Sequence, residues 1–271
     1  MRDAAALSGT VSLVAMNLDH VRVFDLEQPR RNDSPLHPGH QPPSSAYLLH
    51  RRHLPVAPER RTGAAGVWIT TEHTGTHIDA LTHQADGMRF AGDRDAAALQ
   101  TPFGFTELGV ETIEPIVARG WLIDLGVVEP GRWIELEEVQ GAAERQGVGP
   151  EAGDVVLVRT GNGVHWGDPA RYLEGSGMRG KVSEWLADLR VVAVGADNMA
   201  WDRPTGVDPE YGVSLPGHAV LLARAGIYII ENLFLEELSA VGAHRFTFVC
   251  LPLKLVGATG SPVRPIALVE L

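Results

Sequence analysis

Cysteine is almost absent: Cys250 is alone in 271 residues, so no intrachain disulfide can staple the fold. It sits in the apolar run FTFVCLPL, where a small buried hydrophobe is expected rather than a nucleophile. No run approaches the roughly 18 apolar residues that cross a bilayer, which excludes a helical membrane span. Positive charge is also short, with 23 Lys and Arg against 34 Asp and Glu and a formal net charge of -11. That balance disfavours nucleic acid and anionic membrane surfaces as partners. Arg51, Arg52, Arg60 and Arg61 lie close together and read as a solvated loop. Two nucleophile and phosphate signatures are missing as well. There is no Gly-x-Ser-x-Gly elbow, and GVGPEAGD precedes a strand rather than joining a strand to a helix, so it is a turn. The opening MRDAAALSGTVSLVAM lacks a clear hydrophobic core and cleavage site, so a cytoplasmic protein is expected.

What is present is enough apolar material, 44% of residues, for a core without disulfides. One domain over 1–271 is expected, interrupted by a Pro-, His-, Arg- and Gly-rich excursion at 27–64 that reads as a lid over a site. Short β-branched runs predict strands at 21–26, 67–72, 121–125, 154–160, 190–196, 226–230, 245–250 and 265–270. Apolar stripes predict helices at about 134–146, 180–188 and 218–224. Strands outnumber helices and several follow one another without a helical crossover. The pattern is that of an α/β domain with a mixed, partly closed sheet.

Chemistry concentrates in EHTGTHIDALTH, residues 72–83. Imidazole and carboxylate suit a borderline divalent ion such as Zn2+ or Mn2+. His77 and Asp79 share a face if the chain is extended there. Gly75 lets the backbone bend so that His73 turns to the same point, with Thr74 and Thr76 able to tie the bend. His73, His77 and Asp79 are therefore the expected ligands. His83 is set apart as the base that takes a proton from water and gives it to a leaving group. His218, after a Pro-Gly turn, and Glu231, at the end of GIYII, could reach the same ion or complete a second site. Candidates for lining a pocket are His165, Trp166, Asp168 and Tyr172, with Asp197, Asn198 and Trp201 in the next loop; Trp166 or Tyr172 could stack on a substrate ring. His37 and His53 are candidates for capping it. Asp202 and Asp208 show no evident base partner in the sequence.

HTGTHIDALTH resembles the His-x-Gly-Thr-His-x-Asp-x-x-x-His signature of the cyclase family of metal-dependent hydrolases, which includes bacterial kynurenine formamidase and isatin hydrolase. PGHAVLLARAGIYIIENL (216–233), GATGSPVRPIAL (257–268) and the opening FDL (24–26) are similar to further blocks of that family. The resemblance implies a swivelling β/β/α fold, ligation by His73, His77 and Asp79, and an acid–base role for His83. In kynurenine formamidase-like members counterparts of His218 and Glu231 join a two-zinc site that shares the aspartate; isatin hydrolase-like members use one manganese. It also implies a homodimer or homotetramer acting on a small molecule. The chain departs from the kynurenine formamidases in its 27–64 excursion, its 161–180 section, one extra residue between His218 and Glu231, and Ala-Leu-Thr after Asp79. These favour hydrolysis of another amide, cyclic amide or lactone. A metal-dependent lyase or cyclase working by proton abstraction is the alternative, and a non-catalytic binding protein is disfavoured because all four motif side chains are present.

Overall fold

The run Val155–Arg159 is buried at every position, as expected of a strand covered on both faces. A computed structural model describes residues 20–40, 45–52, 58 and 60–270 and shows how both faces are used. Val155 and Leu157 point into one core with Phe24, Leu122, Ile230, Phe246 and Phe248. Val156 and Val158 point into another with Ile123, Val139, Leu186, Leu221 and Ile229. Alternation with period two thus splits one strand between two cores, one against helices and one inside the curl of the sheet.

In chain order the principal strands are β1 (Val21–Asp25), β2 (Ser45–Arg52), β3 (Ala64–Thr70), β4 (His77–Asp79), β5 (Ile116–Asp124), β6 (Val155–Arg159), β7 (Ala193–Ala196), β8 (Tyr228–Glu231), β9 (Arg245–Cys250), β10 (Gly260–Pro262) and β11 (Ile266–Glu270). Nine form one sheet in the order β1-β11-β9-β5-β6-β7-β8-β4-β10. Its centre, β5 to β8, is parallel. The flanking pairs are antiparallel. The parallel steps need crossovers, and α1 (Leu136–Gln146), α2 (Gly180–Leu189) and a third helical segment supply them. This is the mixed α/β architecture expected.

Boundaries differ from expectation where tertiary contacts intervene. α1 begins at Leu136 because Trp133 and Ile134 pair in parallel with Gly177 and Met178. It ends at Gly147, whose φ of 65° is left-handed. The third helix starts at Pro216–His218 and continues as a π-helix over Ala219–Ala225. The strand expected at 67–72 is present with shifted bounds: β3 spans Ala64–Thr70 and pairs with β2 as a separate hairpin, largely exposed. It cannot extend the main sheet at β4, because β10 already occupies that edge. The 27–64 excursion is accordingly not plain loop, since β2 lies within it. His53 and stretches 41–44 and 53–57 lie outside the described residues.

The parallel strands are tied at their C-terminal ends by Arg159, which bonds Asp124 at 2.8 Å and Glu236 at 3.1 and 2.6 Å. Burial works to raise the Asp124 pKa, but the Ser239 hydroxyl, the Gly126 N–H and Arg159 outweigh it and hold the carboxyl below its ordinary value. A depressed carboxylate stabilises the fold above its unfolded pKa of about 3.9 and loses that contribution as pH falls through the folded value. Urea midpoints of the wild type should therefore drop more steeply below about pH 4 than those of Asp124→Asn, which should be the less stable protein at pH 7. Parallel curves would remove Asp124 from the acid-sensitive set.

Candidate metal centre

Gly75 has φ +66°, a left-handed conformation that reverses the chain between β3 and β4. Arg30 donates to the carbonyls on either side of it, Thr74 O and Thr76 O, and is itself held by Glu27 at 2.8 Å. A Cβ at position 75 would stand 2.6 Å from the Arg30 guanidinium, so the close approach also requires glycine. The Thr76 hydroxyl donates to Asn232 O (2.6 Å) and accepts the Gln28 N–H (2.8 Å). Asn232 Nδ2 donates to Gly75 O at 3.0 Å. The motif loop is thereby fixed to β8 and to the N-terminal segment.

Strand register does the rest. β4 pairs with β8 so that Glu231 stands opposite His77, and with β10 so that Gly260 stands opposite Asp79. His77 and Asp79 share a face with period two, and directly opposed side chains are neighbours. Gly260 makes room for His73, whose ring would lie 2.6 Å from a Cβ there. His218, at the start of the third helix, closes the group: its Nε2 is 3.5 Å from Asp79 Oδ2 and 3.3 Å from Glu231 Oε1.

Proton accounting decides what these atoms can bind. The Thr259 hydroxyl lies 2.7 Å from the Glu72 carboxylate and 2.8 Å from His73 Nε2. Its one proton goes to Glu72, which only accepts, so His73 carries its own proton on Nε2. In the neutral ring Nδ1 is then a lone pair, 2.8 Å from Asp79 Oδ1. His77 Nδ1 donates to Gly75 O at 2.8 Å, leaving the Nε2 lone pair 3.3 Å from Asp79 Oδ1 and 3.5 Å from Glu231 Oε2. His218 Nδ1 donates to Asp202 at 2.8 Å, leaving its Nε2 aimed inward. Asp79 Oδ2 is buried without a hydrogen-bond partner. Lone pairs of three imidazoles and two carboxylates converge, an arrangement that a cation satisfies. Fixing of each tautomer by an outer partner is the usual habit of metal-binding histidines.

The carboxylates favour positive charge on the imidazoles between them, the charge a cation would supply there. Burial works to raise Asp79, yet His83, His218, His73 and His77 hold it well below the ordinary carboxylate value. Burial works to lower His218, but Asp202, Asp79 and Glu231 raise it well above an ordinary imidazole. Burial and the neighbouring Asp79 raise Glu231. His83 moves the opposite way, pushed well down by burial and the other histidines against the pull of Asp79.

All five expected ligands therefore meet, but not as one triad. Ligand atoms of His73, Asp79 and His83 lie within 4.8 Å of one another, as do those of His77, Asp79 and Glu231, so Asp79 is common to two groups. His83, the expected acid–base residue, lies beside the group, its ring stacked on His73 at 3.8 Å. The expected pocket residues are a correction. Tyr172 and Trp201 are fully buried and Trp166 is 5% exposed, so none offers a face to a substrate. Trp166 Nε1 donates to Pro29 O (2.8 Å), and Tyr172 OH donates to Asn232 Oδ1 (2.9 Å), which braces the amide that grips Gly75. Trp201 Nε1 donates to Ser183 at 2.9 Å. His165 lines a small cavity with Thr160, Asn162 and Arg171, none of them in the histidine cluster. Asp168 caps the short helix Pro169–Leu173. Asp197 accepts from the Thr160 and Gly161 backbone, and Asn198 donates to Ser176 O, so both hold loops. Asp202, which looked unpaired, is the partner of His218. Glu72, Thr259 and Arg30 were also missed; adjacency to His73 was the only sequence signal, and only for Glu72.

Replacing Asp202 by Asn keeps the shape but removes the acceptor that fixes the His218 tautomer. Metal affinity, read by competition with a chromogenic chelator, should weaken about 10- to 100-fold with an unchanged circular dichroism spectrum. Unchanged affinity would remove His218 from the ligand set.

The comparisons with known proteins bear on this geometry. Residues 24–203 match the profile of the family described as "Putative cyclase". The chain is 28% identical over 247 residues to kynurenine formamidase of Bordetella avium, covering 90% of this chain and 97% of that protein. It is 27% identical over 251 residues to kynurenine formamidase of Bacillus cereus, covering 90% and 95%. Among solved structures it is similar to a novel cyclase, with a TM-score of 0.78, 27% identity and coverage of 91% and 86%. Isatin hydrolase A from Ralstonia solanacearum shares the fold, with a TM-score of 0.70, 24% identity and coverage of 93% of each chain. With its profile match running from β1 past the motif to Arg203, the chain belongs to the putative cyclase family and is a hydrolase.

Proposed function

We propose that the protein is a metal-dependent hydrolase that opens the C(=O)–N or C(=O)–O bond of a small amide, cyclic amide or lactone, releasing a carboxylate. The carrying observation is the lone-pair convergence on Asp79, with His73 Nδ1 at 2.8 Å and Oδ2 unpartnered. His73, His77 and Asp79 would hold the ion, with His218 and Glu231 completing the second group; nitrogen and oxygen donors together suit Zn2+ or Mn2+. When bound, such an ion polarises a carbonyl and makes water nucleophilic at neutral pH. His83 is the acid–base residue in this reading. Burial keeps it neutral, so its ring nitrogen accepts the proton of the attacking water and returns it to the departing nitrogen or oxygen as the bond breaks. Grouping of His83 with His73 and Asp79 supports a second assignment, in which His83 is itself a ligand.

Metal analysis and turnover of formanilide, isatin and a small lactone panel separate these. Chelation should abolish activity and the restored ion should recover it. His83→Ala should keep its metal and lose about 10²- to 10⁴-fold in kcat if His83 acts as base. Loss of metal in that variant would make it a ligand. Stoichiometric metal without turnover on any substrate would count against hydrolysis of these classes and favour proton abstraction, which product analysis would reveal.

The reading includes a cytoplasmic homodimer or homotetramer acting on a small molecule. Among the described residues no helix is long and apolar enough to cross a membrane. Val67 and Ile69, on one face of the β2–β3 hairpin, are 47% and 54% exposed, and Leu48 at its register shift is 63% exposed, apolar surface suited to burial between copies. Leu48→Glu with Val67→Glu should lower the mass measured by light scattering to that of a smaller species; an unchanged mass would place the contact elsewhere.

A further inference from the structure

Three consecutive carbonyls run through the bend of the motif loop, and each is held from outside it. Arg30 donates to Thr74 O and Thr76 O. The middle one, Gly75 O, accepts from His77 Nδ1 at 2.8 Å and from Asn232 Nδ2 at 3.0 Å, which occupies both of its lone pairs. Gly75, at φ +66°, has no side chain to restrict the peptide that follows it. The direction of its carbonyl is therefore set by those hydrogen bonds. Among the described residues, Asn232 is the only donor to it besides His77 itself.

Asn232 is committed to this contact by its surroundings. It is buried, and its amide fits only one way round. Gly75 O only accepts, so it faces the NH2 group, while Tyr172 OH donates to Oδ1 at 2.9 Å from the other side. The main chain is tied as well: its N–H donates to Asn198 O at 3.0 Å, and its carbonyl accepts the Thr76 hydroxyl at 2.6 Å. The backbone is left-handed, at φ +57°. Glycine takes that conformation without cost, and asparagine is among the few other residues that tolerate it. Glycine would meet the demand of the backbone alone, so what asparagine adds at this position is its amide.

We propose that Asn232 is a positioning residue of the metal centre, whose amide keeps the Gly75 carbonyl directed at His77 Nδ1 so that His77 presents its Nε2 lone pair to the ion. The inference rests on the metal reading of the cluster and acts through His77. Without the amide, His77 alone would hold the Gly75–Thr76 peptide. Once that carbonyl turns aside, the ring loses the acceptor that keeps its proton on Nδ1. A proton on Nε2 would instead stand between Asp79 at 3.3 Å and Glu231 at 3.5 Å, in the place of the cation.

Asn232→Gly removes the amide and suits the left-handed backbone, so its effect does not pass through main-chain strain. Zn2+ affinity, read by competition with a chromogenic chelator, should fall about 10- to 100-fold from that of the wild type. Crystals of the metal-free variant should show the Gly75 carbonyl turned out of line with His77 Nδ1, while Thr74 O and Thr76 O stay on Arg30. Tyr172→Phe leaves Asn232 in place and frees only its amide to turn. It should show both changes to a smaller extent, and it carries the test if Asn232→Gly does not fold. Wild-type affinity in both variants would overturn the proposal. So would weakened affinity with the Gly75 carbonyl still on His77, the result that a packing role for Asn232 would give. A wild type that takes up no Zn2+ would defeat the metal reading instead, and the direction of the Gly75 carbonyl in the metal-free crystals would still decide what Asn232 holds.

Discussion

Asp79 keeps a carboxylate at zero exposure in a strand of three residues, and a buried charge of that kind persists only with opposite charge around it. Four imidazoles supply part of that requirement, since His73, His77, His83 and His218 all act to lower its pKa. They also cannot all be cations, because they repel one another; His83 is pushed down by the other three. A divalent ion held at Asp79 would resolve both problems together. The outer contacts then acquire their meaning. Glu72 through Thr259, the Gly75 carbonyl and Asp202 each hold one proton on the outward nitrogen of one ring. Without them the inward nitrogens would be free to protonate, and the site would become a set of salt bridges.

The sheet is organised to deliver this geometry. Its parallel centre buries both faces, which makes β7 and β8 rigid supports. At β8 the pairing turns antiparallel, so β4 is laid down with His77 facing Glu231. A one-residue slip would put His77 and Asp79 on the opposite face and empty the site. β10 holds the outer side of β4, and through Gly260 it also opens the space taken by His73. Asn232, immediately after β8, grips Gly75 and is braced by Tyr172. One strand end therefore fixes both the loop carrying His73 and the strand carrying Asp79.

Much of this was legible in the sequence, and the boundary of legibility is physical. DVVLVRT announces a strand, because a short β-branched run favours extended backbone, and the burial of every residue in VVLVR is what the fold adds. His77-x-Asp79 announces a shared face, since alternation follows from strand geometry alone. The three-residue strands β4 and β10 carry no propensity signal; long-range pairing makes them. VWITTE had the composition of a core strand yet forms an exposed hairpin, because composition does not say which sheet edge is free. Trp201 and Tyr172 looked like pocket residues by the company of glycines around them. Those glycines instead admit close packing, as at Gly177, where a Cβ would meet the Asp202–Arg203 backbone at 2.0 Å. Asp202 lies sixteen residues from His218 in the chain, a separation that hides a contact made only when the helix after Pro216 folds back.

Rigid and adaptable parts of the site are accordingly distributed by chain origin. The ligand candidates come from the motif loop, from β4 and β8, and from the helix that follows β7, and among these residues Asp79 Oδ2 is the buried atom left without a hydrogen-bond partner. Residues 31–40 bring His37 and His40 beside the group, with the His40 ring 5.6 Å from that of His73. The division matches what catalysis requires. Metal geometry must hold within a few tenths of an ångström, which packed strands supply, whereas substrate choice commonly varies through loops. The aromatic side chains that might have served recognition are consumed behind the centre: Trp166 holds Pro29, and Tyr172 holds Asn232. With those rings committed to support, neither offers a face on which a substrate could stack.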